Sequence, residues 1–291
     1  MNTIQRGYFY GTLGMLGFSL TLPATRAAVL DLNPLIVGLG RGLVAAVLAL
    51  IALLVTRQTL PAKKHLMPLA FVASGVVIGF PVLTSLAMEH VNASHGAVML
   101  GMLPIVTACF GALVSKERPS NSFWVAAFFG TTVVVGYSLF QAHGAFDLYD
   151  LMLVGGVVSA AMGYAVGAKL AKEMGSWRVI SWALVMAAPF LAEPVIMQIT
   201  STGFDPSTIS LIGFLYVSCI SMFLAFIAWY AGLALVGTAK IGLLQLLQPF
   251  VTIAVSALLL KENVSTTTVV FACLVATSVF VGQRTRVRSG S

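Results

Sequence analysis

One residue pattern occurs twice in this chain, at positions 145 residues apart. The windows 91–120 and 236–265 align without gaps and have nine identical residues, whereas an apolar composition gives roughly three by chance. The identical pairs are Val91 and Val236, Pro104 and Pro249, Val106 and Val251, Thr107 and Thr252, Ala112 and Ala257, Leu113 and Leu258, Lys116 and Lys261, Glu117 and Glu262, and Ser120 and Ser265. Such a repeat predicts two homologous halves, which we place at residues 1–145 and 146–291.

The composition indicates that both halves lie in a membrane. Of the 291 residues, 59% are hydrophobic and 9% are charged, against roughly 25% charged residues in a soluble domain. Ten apolar runs are close to the roughly 20 residues that a membrane-spanning helix needs. We call them spans one to ten: residues 8–28, 35–56, 68–88, 95–115, 122–140, 151–171, 178–198, 208–233, 240–260 and 265–282. Because backbone groups in lipid must be hydrogen-bonded within the span, the sequence predicts an all-α polytopic membrane protein with ten transmembrane helices.

Each half has five spans, and this odd number sets the orientation of the second half. The second half must enter the membrane from the opposite side, so the halves form two inverted five-helix repeats. Two similar units in opposite orientations can exchange conformations and expose one central site to each side in turn. The sequence therefore predicts alternating access.

The basic residues indicate which ends face the cytoplasm. With the N-terminus inside, thirteen of the 16 Lys and Arg residues fall in inner segments, as the positive-inside rule requires. Both termini are then cytoplasmic. Because this distribution accounts for the net charge of +7, the charge does not indicate a nucleic-acid surface.

Polar and aromatic side chains near two paired prolines predict the transport site. Pro104 and Pro249 lie inside spans four and nine, where a proline removes an intrahelical hydrogen bond. Breaks at equivalent positions of two halves indicate a substrate site, and a simple packing kink is the alternative. The other candidates are rings and hydrogen-bonding groups of spans one, three, six, eight and nine: Phe18, Ser19, Thr21, Phe80, Thr84, Tyr164, Phe226, Trp229, Gln245 and Gln248.

This mixture of rings, amides and hydroxyls suits a small amphipathic or aromatic solute. The alternative is that many of the rings face lipid or other helices, with Trp229 and Tyr230 at a membrane interface.

Arg41 is the only basic residue that we place well inside a span. A charge at that depth is costly and indicates a cavity, a partner or a snorkelling geometry. Two interpretations stay open, namely a structural contact with nearby backbone carbonyls and attraction of a substrate carboxylate. No Asp or Glu lies near the centre of a span, so the sequence favours transport down the solute's own gradient. Proton coupling through His90 or His95 is the alternative.

The repeat ends SKERPS and LKENVS, with their mid-helix prolines and the openings HVNASHGAV and LVGTAKIGL, resemble the drug/metabolite transporter superfamily. More narrowly, the segments GMLGFSL, IGFPVLTSLAMEHVNASH and AFIAWYAGLALVGTAKIG are similar to the branch that exports aromatic and other amino acids. The resemblance implies a central cavity lined by helices one, three, four, six, eight and nine. It also implies that Phe18, Phe80, Leu103, Pro104 and Pro249 lie near the substrate path.

These observations predict a bacterial inner-membrane exporter of amino acids and their analogues, with aromatic and hydrophobic ones favoured. The alternative in the same class is a general drug or metabolite efflux carrier, with or without proton coupling. An enzyme is disfavoured because the sequence has no HExxH, paired-aspartate, P-loop or credible Ser-His-acid pattern. An inverted repeat within one chain favours a carrier over an ion channel. We expect a small-molecule substrate, a lipid bilayer, no cofactor, no metal and no nucleic acid, in a monomer or weak homodimer.

Overall fold

The computed structural model describes residues 1–91, 96, 99–141, 148–251, 254 and 266–288. For residues 137–141 and 267–268 only the backbone is described. Some sequence predictions fall outside these ranges: the boundary between the halves at residue 145, His95, and the end of the second repeat copy with Thr252, Ala257, Leu258, Lys261, Glu262 and Ser265.

Helices make up most of the described chain. Those of the first half are Thr3–Ser19 and Thr21–Ala28 in span one, Pro34–Val55 in span two, Lys63–Val72, Ala73–Gly79 and Phe80–His90 in span three, Leu103–Val114 in span four, and Asn121–Gln141 in span five. Those of the second half are Leu148–Met174 in span six, Ser176–Thr202 in span seven, Thr208–Leu215, Tyr216–Leu224 and Ala225–Val236 in span eight, Thr238–Gly242 and Leu243–Leu247 in span nine, and Thr266–Arg284 in span ten.

Five helices of the described chain are long and apolar enough to cross a membrane: Pro34–Val55, Lys63–His90, Leu148–Met174, Ser176–Thr202 and Thr208–Val236. Shorter apolar helices lie in spans four, five and ten. The prediction of an all-α polytopic membrane protein is confirmed.

The main helix pairs join one half to the other. Span one packs on span eight, and span six packs on span three. Spans two and seven, four and nine, and five and ten form further pairs. Each span can be replaced by its counterpart in the other half, so that span one becomes span six, span two becomes span seven, and so on. Under this replacement the first two pairs change places and the other three pairs stay the same. This is the pattern of two homologous five-helix units, and with an odd number of spans in each unit the halves are inverted repeats.

Irregular helix occurs at equivalent places in the two halves. Span three is π-helical over Ala73–Gly79, and span eight is π-helical over Tyr216–Leu224. The 145-residue offset places the first segment at 218–224, inside the second. Spans four and nine are irregular just before their prolines, with a turn at 101–102 and a 3₁₀ segment over Leu243–Leu247. The π-helix is rare in proteins, and where it occurs it is often at a functional site. The residues around these segments are therefore candidates for such a site.

The repeated glutamate of the first half fixes the start of span nine. Glu117 is 6% exposed, and its carboxylate accepts hydrogen bonds from the backbone N–H of Thr238 at 2.7 Å and of Ala239 at 2.9 Å. Gly237 precedes them with a φ of 113°, a conformation that only glycine adopts readily. A carboxylate here satisfies N–H groups that have no partner in the helix and interacts favourably with the helix dipole.

Two short strands lie beside this contact. Strand β1, Arg118–Pro119, pairs antiparallel with strand β2, Val287–Arg288. The pair joins the linker after span four to the segment after span ten.

Candidate functional site

A cavity lies where spans of both halves meet. Its walls come from spans one to four, six, eight and nine, and the lining residues are Phe18, Thr21, Arg41, Phe80, Leu100, Leu103, Tyr164, Ser221, Met222, Phe226, Gln245 and Gln248. Its volume is about 20 Å³, enough for a single water. A solute of the size of an amino acid enters only if the surrounding helices move apart.

Eight of the thirteen predicted site residues line this cavity: Phe18, Thr21, Phe80, Leu103, Tyr164, Phe226, Gln245 and Gln248. They come from spans one, three, four, six, eight and nine, which are the helices that the resemblance implies. The structure thus brings these side chains together. That they bind a substrate stays a prediction.

The other five predicted residues lie outside the cavity lining. The Ser19 hydroxyl donates to the Met15 carbonyl at 2.9 Å, and the Thr84 hydroxyl donates to the Phe80 carbonyl at 2.6 Å. Trp229 packs behind the rings of the cavity wall. The remaining two, Pro104 and Pro249, lie in the α-helical stretches that follow the irregular parts of spans four and nine.

A larger groove, of about 520 Å³, lies between the start of span five and the end of span ten. It contains none of the predicted site residues; Ser120, Phe280, Arg284 and Arg286 are among its lining residues. The groove is an open depression of the surface and not an enclosure between the halves.

The aromatic wall of the cavity is one cluster centred on Phe18. The Phe18 ring centroid lies 4.9 Å from that of Phe226, 5.9 Å from that of Trp229 and 6.4 Å from that of Tyr164. These distances fall within the range of favourable ring contacts. Trp229 and Tyr230 are each 0% exposed, so the alternative that placed them at a membrane interface is wrong. Their rings are enclosed by neighbouring spans and cannot reach the lipid headgroups.

Hydroxyls and amides form the polar part of the wall. The hydroxyls of Thr21 and Ser221 lie 2.8 Å apart in a hydrogen bond that joins spans one and eight. Gln245 is 4% exposed, and both of its amide atoms are buried without a hydrogen bond of good geometry, although the Tyr164 hydroxyl faces the amide. An unsatisfied buried amide is costly, and this one is part of the cavity lining.

Arg41 lines the same cavity and is 1% exposed. Its Nη2 donates to the Thr84 hydroxyl at 3.3 Å, and its Cζ lies 5.9 Å from the centroid of the Phe80 ring. Its Nε is buried and has no hydrogen-bond partner in the described part of the chain. Of the two open interpretations, the contact with backbone carbonyls is not found within the described residues, where the hydrogen bond of this guanidinium goes to a side-chain hydroxyl.

Three lining residues were not predicted: Leu100, Ser221 and Met222. Ser221 and Met222 lie in the π-helical part of span eight, where the widened turn changes which side chains face inward. In a regular α-helix the face of Phe226 would include Met222, four residues earlier, but not Ser221. The one available signal was Ser221 itself, a polar residue in an apolar run.

Comparison with known proteins identifies the family. Residues 5–139 and residues 147–282 each match the EamA-like transporter family. The chain belongs to the EamA-like transporter family. The two matches correspond to the two five-helix halves, and they lie on either side of the predicted boundary at residue 145, whose position itself stays a prediction.

Curated relatives and a solved structure agree with this assignment. The chain is 44% identical over 270 residues to "Uncharacterized transporter YdeK" of Bacillus subtilis (strain 168), covering 91% of this chain and 92% of that protein. It is 24% identical over 268 residues to "Uncharacterized transporter YwfM" of the same strain, covering 89% and 84%. A crystal structure superposes with a TM-score of 0.79 over 96% of this chain and 98% of that chain at 14% identity, which shows the fold alone.

This EamA-family member is therefore a multi-pass transporter of the plasma membrane. A transporter of this family carries a small-molecule substrate within a lipid bilayer.

Proposed function

We propose that this EamA-family member exports amino acids and their analogues by alternating access, with aromatic and hydrophobic ones favoured. The observation that carries the proposal is the mixed lining of the cavity between the two halves. Both termini face the cytoplasm in this proposal, and the boundary between the halves lies near residue 145.

The two parts of the cavity wall match the two parts of such a solute. The rings of Phe18, Tyr164 and Phe226 offer an apolar surface to a hydrophobic side chain. Gln245 and the hydroxyls of Thr21 and Ser221 offer donors and acceptors to the polar head of an amino acid. A few placed polar groups in a mostly apolar wall are typical of small-molecule sites.

The charge of the lining favours amino acids over cationic drugs. None of the lining residues is an Asp or Glu, and one of them is Arg41. An organic cation would lose its hydration in this cavity without meeting an opposite charge, which is unfavourable. The general efflux alternative is thus supported less well by the site, at least for cations.

The irregular helices supply places at which the cavity can open. Ser221 and Met222 lie in a π-helical segment, and Gln245 lies in the 3₁₀ segment before Pro249. Such segments bend more easily than a regular α-helix, because their backbone hydrogen-bond geometry is poorer. Bending there would widen a cavity that now has a volume of about 20 Å³.

Flux in proteoliposomes tests the proposal. Purified protein is reconstituted, the vesicles are loaded with a panel of labelled amino acids, and efflux is followed with and without an imposed pH gradient. We expect efflux of phenylalanine, tyrosine and leucine above that of protein-free vesicles. Faster efflux with the gradient would add proton coupling to the proposal.

A second panel of organic cations separates the alternative. Transport of the cations with no flux of any amino acid would contradict the proposal and favour a general efflux carrier. Vesicles that contain the Gln245→Leu variant, which lacks one amide of the cavity lining, control for leak through the reconstituted protein.

A further inference from the structure

We propose that Arg41 binds a carboxylate of the transported solute, and that the ammonium group of an amino acid is dispensable for binding. This inference rests on the proposed function, because it assigns the substrate class of the same cavity. It predicts that the protein carries monocarboxylates with an apolar or aromatic group, whether or not they are amino acids.

The first step is the burial of an unpaired cation. Arg41 is 1% exposed, and among the described residues no carboxylate forms an ion pair with it. A buried charge without a partner is strongly unfavourable. Since a structural role would be met at lower cost by an uncharged residue, the charge indicates a partner that arrives from outside the chain.

The second step is the number of guanidinium donors left over. A guanidinium carries five N–H groups. The bond from Nη2 to the Thr84 hydroxyl is 3.3 Å long, and Nε has no partner among the described residues. Arginine binds carboxylates through paired N–H groups, in shorter and stronger hydrogen bonds than those between neutral groups. Thr84 thus positions the guanidinium and leaves donors for a ligand.

The third step is the place of Arg41 in the cavity wall. Glycines on either side of Arg41 let span two pack closely against spans three and seven. A Cβ at Gly38 would lie 3.0 Å from the Cα of Val82, and one at Gly42 would lie 2.8 Å from Leu191. The guanidinium then lines the same cavity as the Phe18 and Phe226 rings. A solute with its carboxylate on Arg41 can therefore place an apolar group against those rings.

The fourth step is the absence of a matching acid. All twelve residues of the cavity lining are described, and none is Asp or Glu. An ammonium group would meet only neutral acceptors such as Gln245, whose bonds are weaker than charge-assisted pairs. Recognition is then unequal, strong for the carboxylate and weak for the ammonium.

Competition against labelled L-phenylalanine tests this inequality on the unaltered protein. The two probes are 3-phenylpropionate, which lacks the amino group, and phenylalaninamide, which lacks the carboxylate. We expect 3-phenylpropionate to compete within about threefold of phenylalanine, and phenylalaninamide to be weaker by at least about tenfold. Equal or better competition by phenylalaninamide overturns the inference.

Variants of Arg41 assign the effect to this residue. For Arg41→Gln we expect the affinity for phenylalanine and 3-phenylpropionate to fall about 10- to 100-fold while that for phenylalaninamide is unchanged. Arg41→Lys keeps the charge but not the paired donors, so its affinity for the two carboxylates should lie between those of the unaltered protein and Arg41→Gln. Arg57→Gln, at an exposed position, is the matched control. An equal loss for all three ligands in Arg41→Gln would show a structural role and contradict the inference.

A failure of the proposed function is distinguishable from a failure of this inference. If the unaltered protein transports none of the amino acids of the panel, the proposed function fails. The thermal unfolding midpoint of the purified protein then tests the carboxylate site directly. A rise with 3-phenylpropionate but not with phenylalaninamide supports the site, and no rise with 3-phenylpropionate overturns it.

Discussion

Gln245 illustrates at the residue scale how the cavity differs from a well-packed core. Its amide is buried with neither polar atom in a hydrogen bond of good geometry, which costs about 1–3 kcal/mol. In the proposed function, a solute that brings a donor and an acceptor removes this cost.

Substitution of Gln245 by Leu should therefore separate transport from stability. We expect phenylalanine flux to fall about tenfold, and the thermal unfolding midpoint to stay or rise, because an unsatisfied amide is replaced by an apolar side chain of similar size. Gln198→Leu, in span seven and outside the cavity lining, is the matched control. Unchanged flux in Gln245→Leu would remove Gln245 from the site.

A second residue-scale prediction concerns the contact between spans six and eight. The Tyr230 ring occupies the space that a Cβ at Gly167 would fill, and its hydroxyl donates to the Gly163 carbonyl at 3.1 Å. We expect Gly167→Ala to destabilise the protein by about 1–3 kcal/mol, because Tyr230 must move out of a tight contact. The measurement is thermal unfolding in detergent.

Gly136→Ala provides the control for this glycine change. No atom of the described residues lies within 4 Å of a Cβ built at Gly136, so the substitution gains helix propensity without a clash there. Its unfolding midpoint should stay or rise. Equal midpoints for Gly167→Ala and the unaltered protein would show that the close contact is easily relieved.

At the scale of elements, the start of span nine depends on a residue from the other half. Glu117 accepts two backbone N–H groups there, those of Thr238 and Ala239. Glu117→Gln replaces one acceptor oxygen by an NH₂ group that cannot accept, and we expect a loss of about 1–2 kcal/mol in the free energy of unfolding. Glu193→Gln, at an exposed position, should have no measurable effect. The measurement is the thermal unfolding midpoint. A midpoint of Glu117→Gln as high as that of Glu193→Gln would contradict the role of Glu117.

A pH dependence is expected where the loop after span one meets the start of span eight. Asp31 accepts hydrogen bonds from the backbone N–H of Ser207 at 3.1 Å and the hydroxyl of Ser210 at 2.8 Å. These bonds lower the pKa of the Asp31 carboxyl below its ordinary value of 3.8, because they favour the charged form. The resulting stabilisation is present above the ordinary pKa and is lost as the pH falls through the lowered pKa.

Asp31→Asn should accordingly lower the unfolding midpoint near neutral pH, and the difference from the unaltered protein should shrink as the pH falls through the lowered pKa. Thermal unfolding across a pH series measures it, with Asp205→Asn at an exposed position as the control. A difference that stays constant to the acid end of the series would show that the carboxylate charge is not what holds the two segments together.

At the scale of the whole molecule, the sequence predicts the architecture better than the site. Apolar run lengths and the repeat predict ten helices in two inverted halves, because both signals accumulate over many residues. The paired prolines and Gln245 also indicate two of the helices that line the cavity, spans four and nine.

Some features of the site could not be predicted from the sequence. Ser221 was missed because a π-helical turn changes its direction, and the contact of Glu117 with Thr238 was missed because it joins positions 121 residues apart. Trp229 was assigned to the lining, whereas it packs behind Phe18 and Tyr164.

The central claim is that the cavity between the inverted halves opens to each side of the membrane in turn. Ser221→Cys tests it, in a protein whose Cys109, Cys219 and Cys273 are replaced by Ala. Membrane-impermeant thiol reagents are applied separately to each face of oriented vesicles, with and without phenylalanine. The account predicts modification of the introduced cysteine from both faces, slowed in each case by phenylalanine. Modification from one face only, or from neither, would contradict it.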